Sequence, residues 1–101
     1  MAYNASMTNQ KFFVPTQHTG KVLALMQKSV YNFNFDSNGN ITKIELYDDY
    51  IGYDDTSLFN SIAPYVQNGS FIQMIDEEGR QWRWVFNNGK CKQVQPKIVW
   101  P

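Results

Sequence analysis

One cysteine and one histidine, Cys91 and His18, are the only pair in the chain that could supply a thiolate nucleophile and an imidazole base. Nothing in their spacing brings them together. A cysteine in a strand ordinarily packs as a small apolar residue and a histidine near a helix start is ordinarily solvated, so neither is expected to be catalytic. The same two residues are too few for a metal site built on sulfur and nitrogen. Carboxylates are paired at Asp48-Asp49 and Asp54-Asp55. Before a helix, such pairs serve as caps and solvated charges far more often than as a general acid and base. The run Asp36-Ser37-Asn38-Gly39-Asn40 opens like a calcium loop, but the sixth and twelfth positions that need glycine and glutamate hold Ile41 and Tyr47, so it reads as a turn. Gly20-Lys21 is not a phosphate loop, because Pro15 and Val22 stand where a glycine and a hydroxyl residue are required. No catalytic residue, no cofactor and no metal is therefore assigned.

Two constellations remain, and both concern binding. Tyr47, Asp48, Asp49, Tyr50, Tyr53, Asp54 and Asp55 interleave aromatic rings with charge ahead of a helix, a mixture that protein contact surfaces favour. The strand Gln81-Trp82-Arg83-Trp84-Val85-Phe86 puts Trp82, Trp84 and Phe86 on one face and Arg83 on the other. The aromatic face is expected to be core, as large aromatics usually are. The competing reading is an exposed stacking platform for single-stranded nucleic acid, served by Arg80, Arg83, Lys90, Lys92 and Lys97. The glycine-and-aromatic signature of RNA-binding sheets is absent, and zero net charge gives little long-range attraction to phosphate. No oligonucleotide binding is thus expected at physiological salt.

The composition that carries these groups is that of one compact domain. The chain has 101 residues, 43% hydrophobic and 16% aromatic, with nine basic and nine acidic side chains. That is enough apolar material for a single core and too little chain for a multidomain enzyme, and it is the reverse of a disordered composition. The charge is uneven along the chain. Residues 1–35 carry +3, residues 36–55 carry −5, residues 76–78 carry −3, and the five basic residues after Glu78 meet no further acid. No apolar run is long enough to span a bilayer. Residues 1–11 lack a basic segment followed by an apolar block, which, with a single cysteine, points to a cytoplasmic location.

The elements that must position the candidate residues follow from periodicity. Residues 1–10 are polar and aperiodic and read as a flexible arm, with the single α+β domain occupying residues 11–101. A short strand is expected over 11–14, stopped by Pro15. Thr16 should cap a first helix with the stripe Val22, Leu25, Met26, Val30, ending near Lys28. Residues 31–36 and 41–47 alternate as two strands about an Asn38-Gly39 hairpin turn. A second helix, capped by Asp54, Asp55 or Thr56, should carry Leu58, Phe59, Ile62, Tyr65 and Val66 on one side, with Pro64 kinking it or restarting it as a final turn. A meander of three strands then spans 70–76, 80–86 and 90–95, with a possible edge strand over 97–100. The order β-α-β-β-α-β-β-β implies two helices on one face of a mainly antiparallel sheet of five to six strands, a ferredoxin-like variant.

The stretch from Ile62 to Lys92, IAPYVQNGSFIQMIDEEGRQWRWVFNNGKCK, contains an IAPYV helix end, a Gly-Ser turn, an EG turn, a WRW strand and a GKC hairpin in that order. In this it resembles small bacterial and phage-type proteins to which no activity is attached. The resemblance covers about a third of the chain. It implies a compact α+β domain from a bacterium or its mobile elements and brings no site residues with it. Together with the residues, it favours a non-enzymatic protein-interaction module, such as a phage or mobile-element factor that inhibits or adapts a host protein. The partner would dock on residues 47–55 or on an open sheet edge. Single-stranded nucleic-acid binding is the alternative, and no membrane partner is expected.

Overall fold

The computed structural model describes residues 5–46 and 55–97. Its elements run β1 (Ala5–Lys11), α1 (Thr16–Met26), β2 (Tyr31–Phe35), β3 (Ile41–Leu46), α2 (Thr56–Ile62), a 3₁₀ turn (Ala63–Tyr65), β4 (Ser70–Asp76), β5 (Gln81–Asn87) and β6 (Lys90–Val94). This is an α+β architecture whose paired strands are all antiparallel among the described residues. The strands fall into two sheets, β1-β4-β5-β6 and the separate hairpin β2-β3, rather than into the single sheet that a ferredoxin-like variant needs. Neither helix is long and apolar enough to cross a membrane.

Residues 5–10 are not an arm. They form β1, paired along the side of β4, with a bulge between Met7 and Asn9. A strand at the margin of a sheet is held by its backbone ladder and needs few apolar side chains, so its polar sequence hid it. The short strand expected over 11–14 shrinks to the end of β1 and one bridge, Val14 to Ile41. Thr16 does not cap α1: Pro15 holds the cap position, and the Thr16 N–H donates to Oδ1 of Asn40 at 2.7 Å. The helix stops at Met26, whose carbonyl accepts from the Ser29 N–H and hydroxyl. Val22 and Met26 are buried as the stripe requires, whereas Leu25 stands 40% exposed. Pro64 does end the α-helical hydrogen bonding of α2 and restart it as the 3₁₀ turn.

The hairpin is joined to the rest by a run of contacts in antiparallel sequence. Gln10 Nε2 donates to the Ile44 carbonyl, and the Ile44 N–H donates to Gln10 Oε1 at 2.8 Å. One side-chain amide thereby does the work of a β-ladder residue. Val14 and Ile41 exchange two backbone bonds of 2.9 Å. Next come Thr16 with Asn40, then the Thr19 hydroxyl, which donates to the Gly39 carbonyl at 2.8 Å. Gly39 is required twice over: its φ is +83°, and a Cβ there would lie 2.6 Å from Thr16 Oγ1. Beneath this seam Phe12 stacks at 6.1 Å on Phe33 of β2 and meets Phe86 of β5 edge-on at 5.7 Å.

Two hairpins share one turn chemistry. Asp36 Oδ1 accepts from the N–H groups of Asn38 and Asn40, and Oδ2 from Asn40 Nδ2. Asp76 repeats this with the N–H groups of Glu78 and Arg80 and with Arg80 Nε. In each, a glycine at φ +83° follows three residues after the aspartate. The loop between β2 and β3 is thus three residues long, with Gly39 alone at positive φ, rather than a two-residue Asn-Gly turn. The side-chain bond from Asn40, with the backbone N–H groups beside it, holds the Asp36 carboxyl below its ordinary value. Burial pushes the Asp76 carboxyl up, but the Arg80 N–H and guanidinium and the Glu78 N–H outweigh it and leave a net lowering.

Two predictions follow from these contacts. Gln10→Leu leaves the buried Ile44 N–H and carbonyl unpaired at similar side-chain volume and should cost about 2–4 kcal/mol in urea unfolding; an unchanged midpoint would show that the seam bonds contribute nothing. Because both aspartates bind protons less readily folded than unfolded, the stability they add is complete above about pH 4 and lost as the pH falls through their lower folded values. The Asp36→Asn, Asp76→Asn double variant should therefore lose melting temperature less steeply than wild type between about pH 4 and pH 2.

Candidate functional site

Of the acidic, tyrosine-rich group, Tyr47, Asp48, Asp49, Tyr50, Tyr53 and Asp54 lie outside the described residues. Asp55 stands at the head of α2, where its carbonyl accepts the Phe59 N–H at 2.9 Å. Its carboxylate Oδ2 accepts the Tyr31 hydroxyl at 2.8 Å. Tyr31 is also the residue opposite Leu46, the last of β3. Both flanks of residues 47–54 therefore meet at one buried tyrosine on β2.

Beside that tyrosine, the outer edge of β2 pairs with no strand among the described residues. Ile44 turns its N–H and carbonyl toward Gln10, away from β2, so the facing Phe33 sits in a non-hydrogen-bonded pair. The N–H and carbonyl of Phe33 then point to the outer edge, where no described strand pairs with them. The strand, Tyr-Asn-Phe-Asn-Phe, carries no charge and no proline, the usual guards of an exposed edge. A groove between α1 and β2 is lined by Leu23, Met26, Gln27, Tyr31 and Phe33, with Phe35 46% exposed at the far end of the strand. The opposite margin of the fold is guarded: Asn60 Oδ1 of α2 accepts the outward N–H of Cys91 on β6 at 3.0 Å.

The Trp82, Trp84 and Phe86 face is core. Phe59 of α2 lies 5.1 Å from the Trp84 ring and 5.9 Å from Phe86, and the Trp84 indole nitrogen is buried without a hydrogen-bond partner. These rings are closed to a nucleobase. The basic residues separate into two groups. Arg80 is neutralised in its turn by Asp76 at 2.7 Å and Glu78 at 3.2 Å. Arg83, Lys90 and Lys92 stand on the face of the sheet away from the core, and Lys97 lines a recess with Arg83.

That open face was not read from the sequence as a unit. In register across β1, β4, β5 and β6, one row is Lys11, Phe71, Val85, Lys92 and the next is Asn9, Gln73, Arg83, Val94. The Arg83 guanidinium carbon sits 4.3 Å above the centre of the Phe71 ring. Its Nε donates to Gln73 Oε1 at 2.8 Å, and Gln73 Nε2 donates to Thr8 Oγ1 at 3.2 Å. The only carboxylate on these four strands is Asp76, buried at the end of β4. Phe71 and Lys11 are not marked by the sequence, because β4 reads as a nearly continuous apolar run and residues 5–10 carry no apolar alternation.

Cys91 and His18 stay apart in role. The His18 ring packs at 5.3 Å against Tyr65, while Cys91 is buried in register with Phe86. Burial pushes the Cys91 thiol up to about 12, which leaves almost no thiolate at neutral pH. Alkylation of Cys91 by iodoacetamide should accordingly be slow in the native protein and become fast only in denaturant, as followed by mass spectrometry; rapid native labelling at pH 7 would contradict the buried site. Searched against family models, curated proteins and solved structures, the chain has no significant match in any of the three, and its functional reading rests on the surfaces just described.

Proposed function

We propose that this protein is a non-enzymatic protein-interaction module, of the kind a phage or other mobile element uses to inhibit or adapt a host protein. The observation that carries this reading is the double role of Tyr31. It faces the last residue of β3 and donates its hydroxyl to Asp55, so the acidic, tyrosine-rich residues 47–54 begin and end beside the uncharged edge of β2. An extended segment of a partner can add to that edge through the outward N–H and carbonyl of Phe33, with side chains seated near Leu23 and Phe33. Asp48, Asp49, Asp54 and Asp55 favour a partner segment that is basic, and tyrosines give contact area at low entropic cost.

The test is capture from a bacterial lysate, with and without nuclease, compared across variants. Tyr50→Ser with Tyr53→Ser should spare the fold and weaken capture about tenfold or more, the loss typical of contact-surface aromatics. Asp48→Asn with Asp49→Asn should mainly slow association and blunt its salt dependence. Leu23→Lys, in the groove, should weaken capture without lowering the melting temperature. Capture that disappears with nuclease, or that all three variants retain in full, would refute the reading.

A further inference from the structure

A second surface, separate from the β2 edge, carries an inference that does not depend on protein capture. The open face of the four-stranded sheet presents Lys11, Arg83, Lys90 and Lys92, one from β1, one from β5 and two from β6. Among the described residues, none of the four makes an ion pair; the salt bridges there involve only Lys43 and Arg80. The chain is neutral overall because its acids lie elsewhere: in residues 36–55, in the turn after β4, and in the buried Asp76. Charge segregated in this way gives a neutral protein a locally cationic surface. At ordinary strand spacing Lys11 and Lys92 stand about 14 Å apart across three strand intervals. In the middle lies Phe71, half-buried, with the Arg83 guanidinium over its ring.

We propose that this face binds single-stranded nucleic acid, with Lys11, Lys90 and Lys92 meeting phosphates and the Phe71–Arg83 pair receiving a base. The chemistry selects that ligand on three counts. Cations without carboxylate partners complement a polyanion and gain from counterion release. A ring with an overlying guanidinium offers a stacking surface that a base can use and that phosphate alone cannot. The exposed Asn9 carboxamide, at the same level of the sheet, can donate through its Nδ2 to a base edge. A duplex fits poorly, because its base edges are reached by an inserted helix or two-stranded ribbon rather than by the face of a four-stranded sheet. Stacking here falls to Phe71, on the opposite side of the sheet from the buried Trp82, Trp84 and Phe86. Net charge misjudged the face, since attraction at contact range depends on the local charges within a Debye length.

Fluorescence anisotropy of a labelled single-stranded oligothymidine with the full chain, over a salt series, tests the proposal. Three phosphate contacts predict a slope of log affinity against log salt of about −2, at roughly 0.7 per contact for single strands. Lys11→Gln and Lys92→Gln should each flatten the slope by about 0.7. Phe71→Leu, which keeps apolar volume and whose folding is checked by melting, should weaken binding about tenfold and leave the slope unchanged. Lys21→Gln, on exposed α1, should alter nothing, and the Tyr50→Ser, Tyr53→Ser variant should bind the oligonucleotide as wild type does, which separates this site from the protein-binding one. The proposal is overturned if no saturable binding occurs at low salt, or if a duplex of equal length binds more tightly. It is equally overturned if inorganic polyphosphate or poly-glutamate competes as well as unlabelled oligothymidine while Phe71→Leu has no effect.

Discussion

The fold depends on how the β2-β3 hairpin is fastened to a sheet it does not join. Residues 10 to 19 run antiparallel to residues 44 to 39, touching at Gln10 with Ile44, Val14 with Ile41, Thr16 with Asn40 and Thr19 with Gly39. Only one of these contacts is a backbone bridge. The others place a side-chain amide, a carboxamide oxygen and a hydroxyl where a continuous sheet would have main-chain partners. A two-stranded hairpin is marginal on its own, and Ile44 and Ile41 are wholly buried, so their polar backbone groups have to be satisfied by something. The seam satisfies them, and Phe12 behind it ties the aromatic side chains of the hairpin to those of the sheet.

That fastening also sets the edge of β2 apart from the outer face of the four-stranded sheet. Because Gln10 takes the polar groups of Ile44 on one side of β3, those of Phe33 are left pointing off the other side of β2. The open edge is thus a consequence of the seam and not an independent feature. The same segment carries β1 into the four-stranded sheet, and with it Lys11, which completes the cationic row opposite Lys92. One stretch of chain therefore determines both which way the polar groups of Phe33 point and which charges share the outer face of the four-stranded sheet.

What the sequence made legible was local. The Asn-Gly and Glu-Gly turns, the burial of Val22, Met26, Phe59 and Ile62 on the helices, the restart at Pro64 and the burial of Trp82 and Trp84 all follow from periods of two or 3.6 and from the steric demands of glycine and proline. What it concealed was nonlocal. β1 has no apolar alternation because its partner supplies the ladder. The three-residue loop at Ser37-Asn38-Gly39 depends on the Asp36 carboxylate holding two backbone N–H groups, which Asn-Gly alone does not reveal. Gln10 and Ile44 lie too far apart in sequence for any periodic pattern to pair them. Of the acidic, tyrosine-rich residues, legible as composition, Asp55 alone lies among the described ones, and its partner Tyr31 reads in the sequence simply as one of three alternating aromatics.

The position of the aromatic side chains bears on function through what it excludes. A sheet covered by helices on one face must bury its largest side chains there, and Trp82, Trp84 and Phe86 meet that demand with Phe59. Once the rings of β5 are committed to the core, period two places Arg83 on the other side, and register places Phe71 and Gln73 of β4 within its reach. The residues that drew attention in the sequence as a stacking platform therefore act as the scaffold. At the positions between them, Phe71 with its overlying Arg83 guanidinium and Lys92 stand on the face of the sheet away from the core.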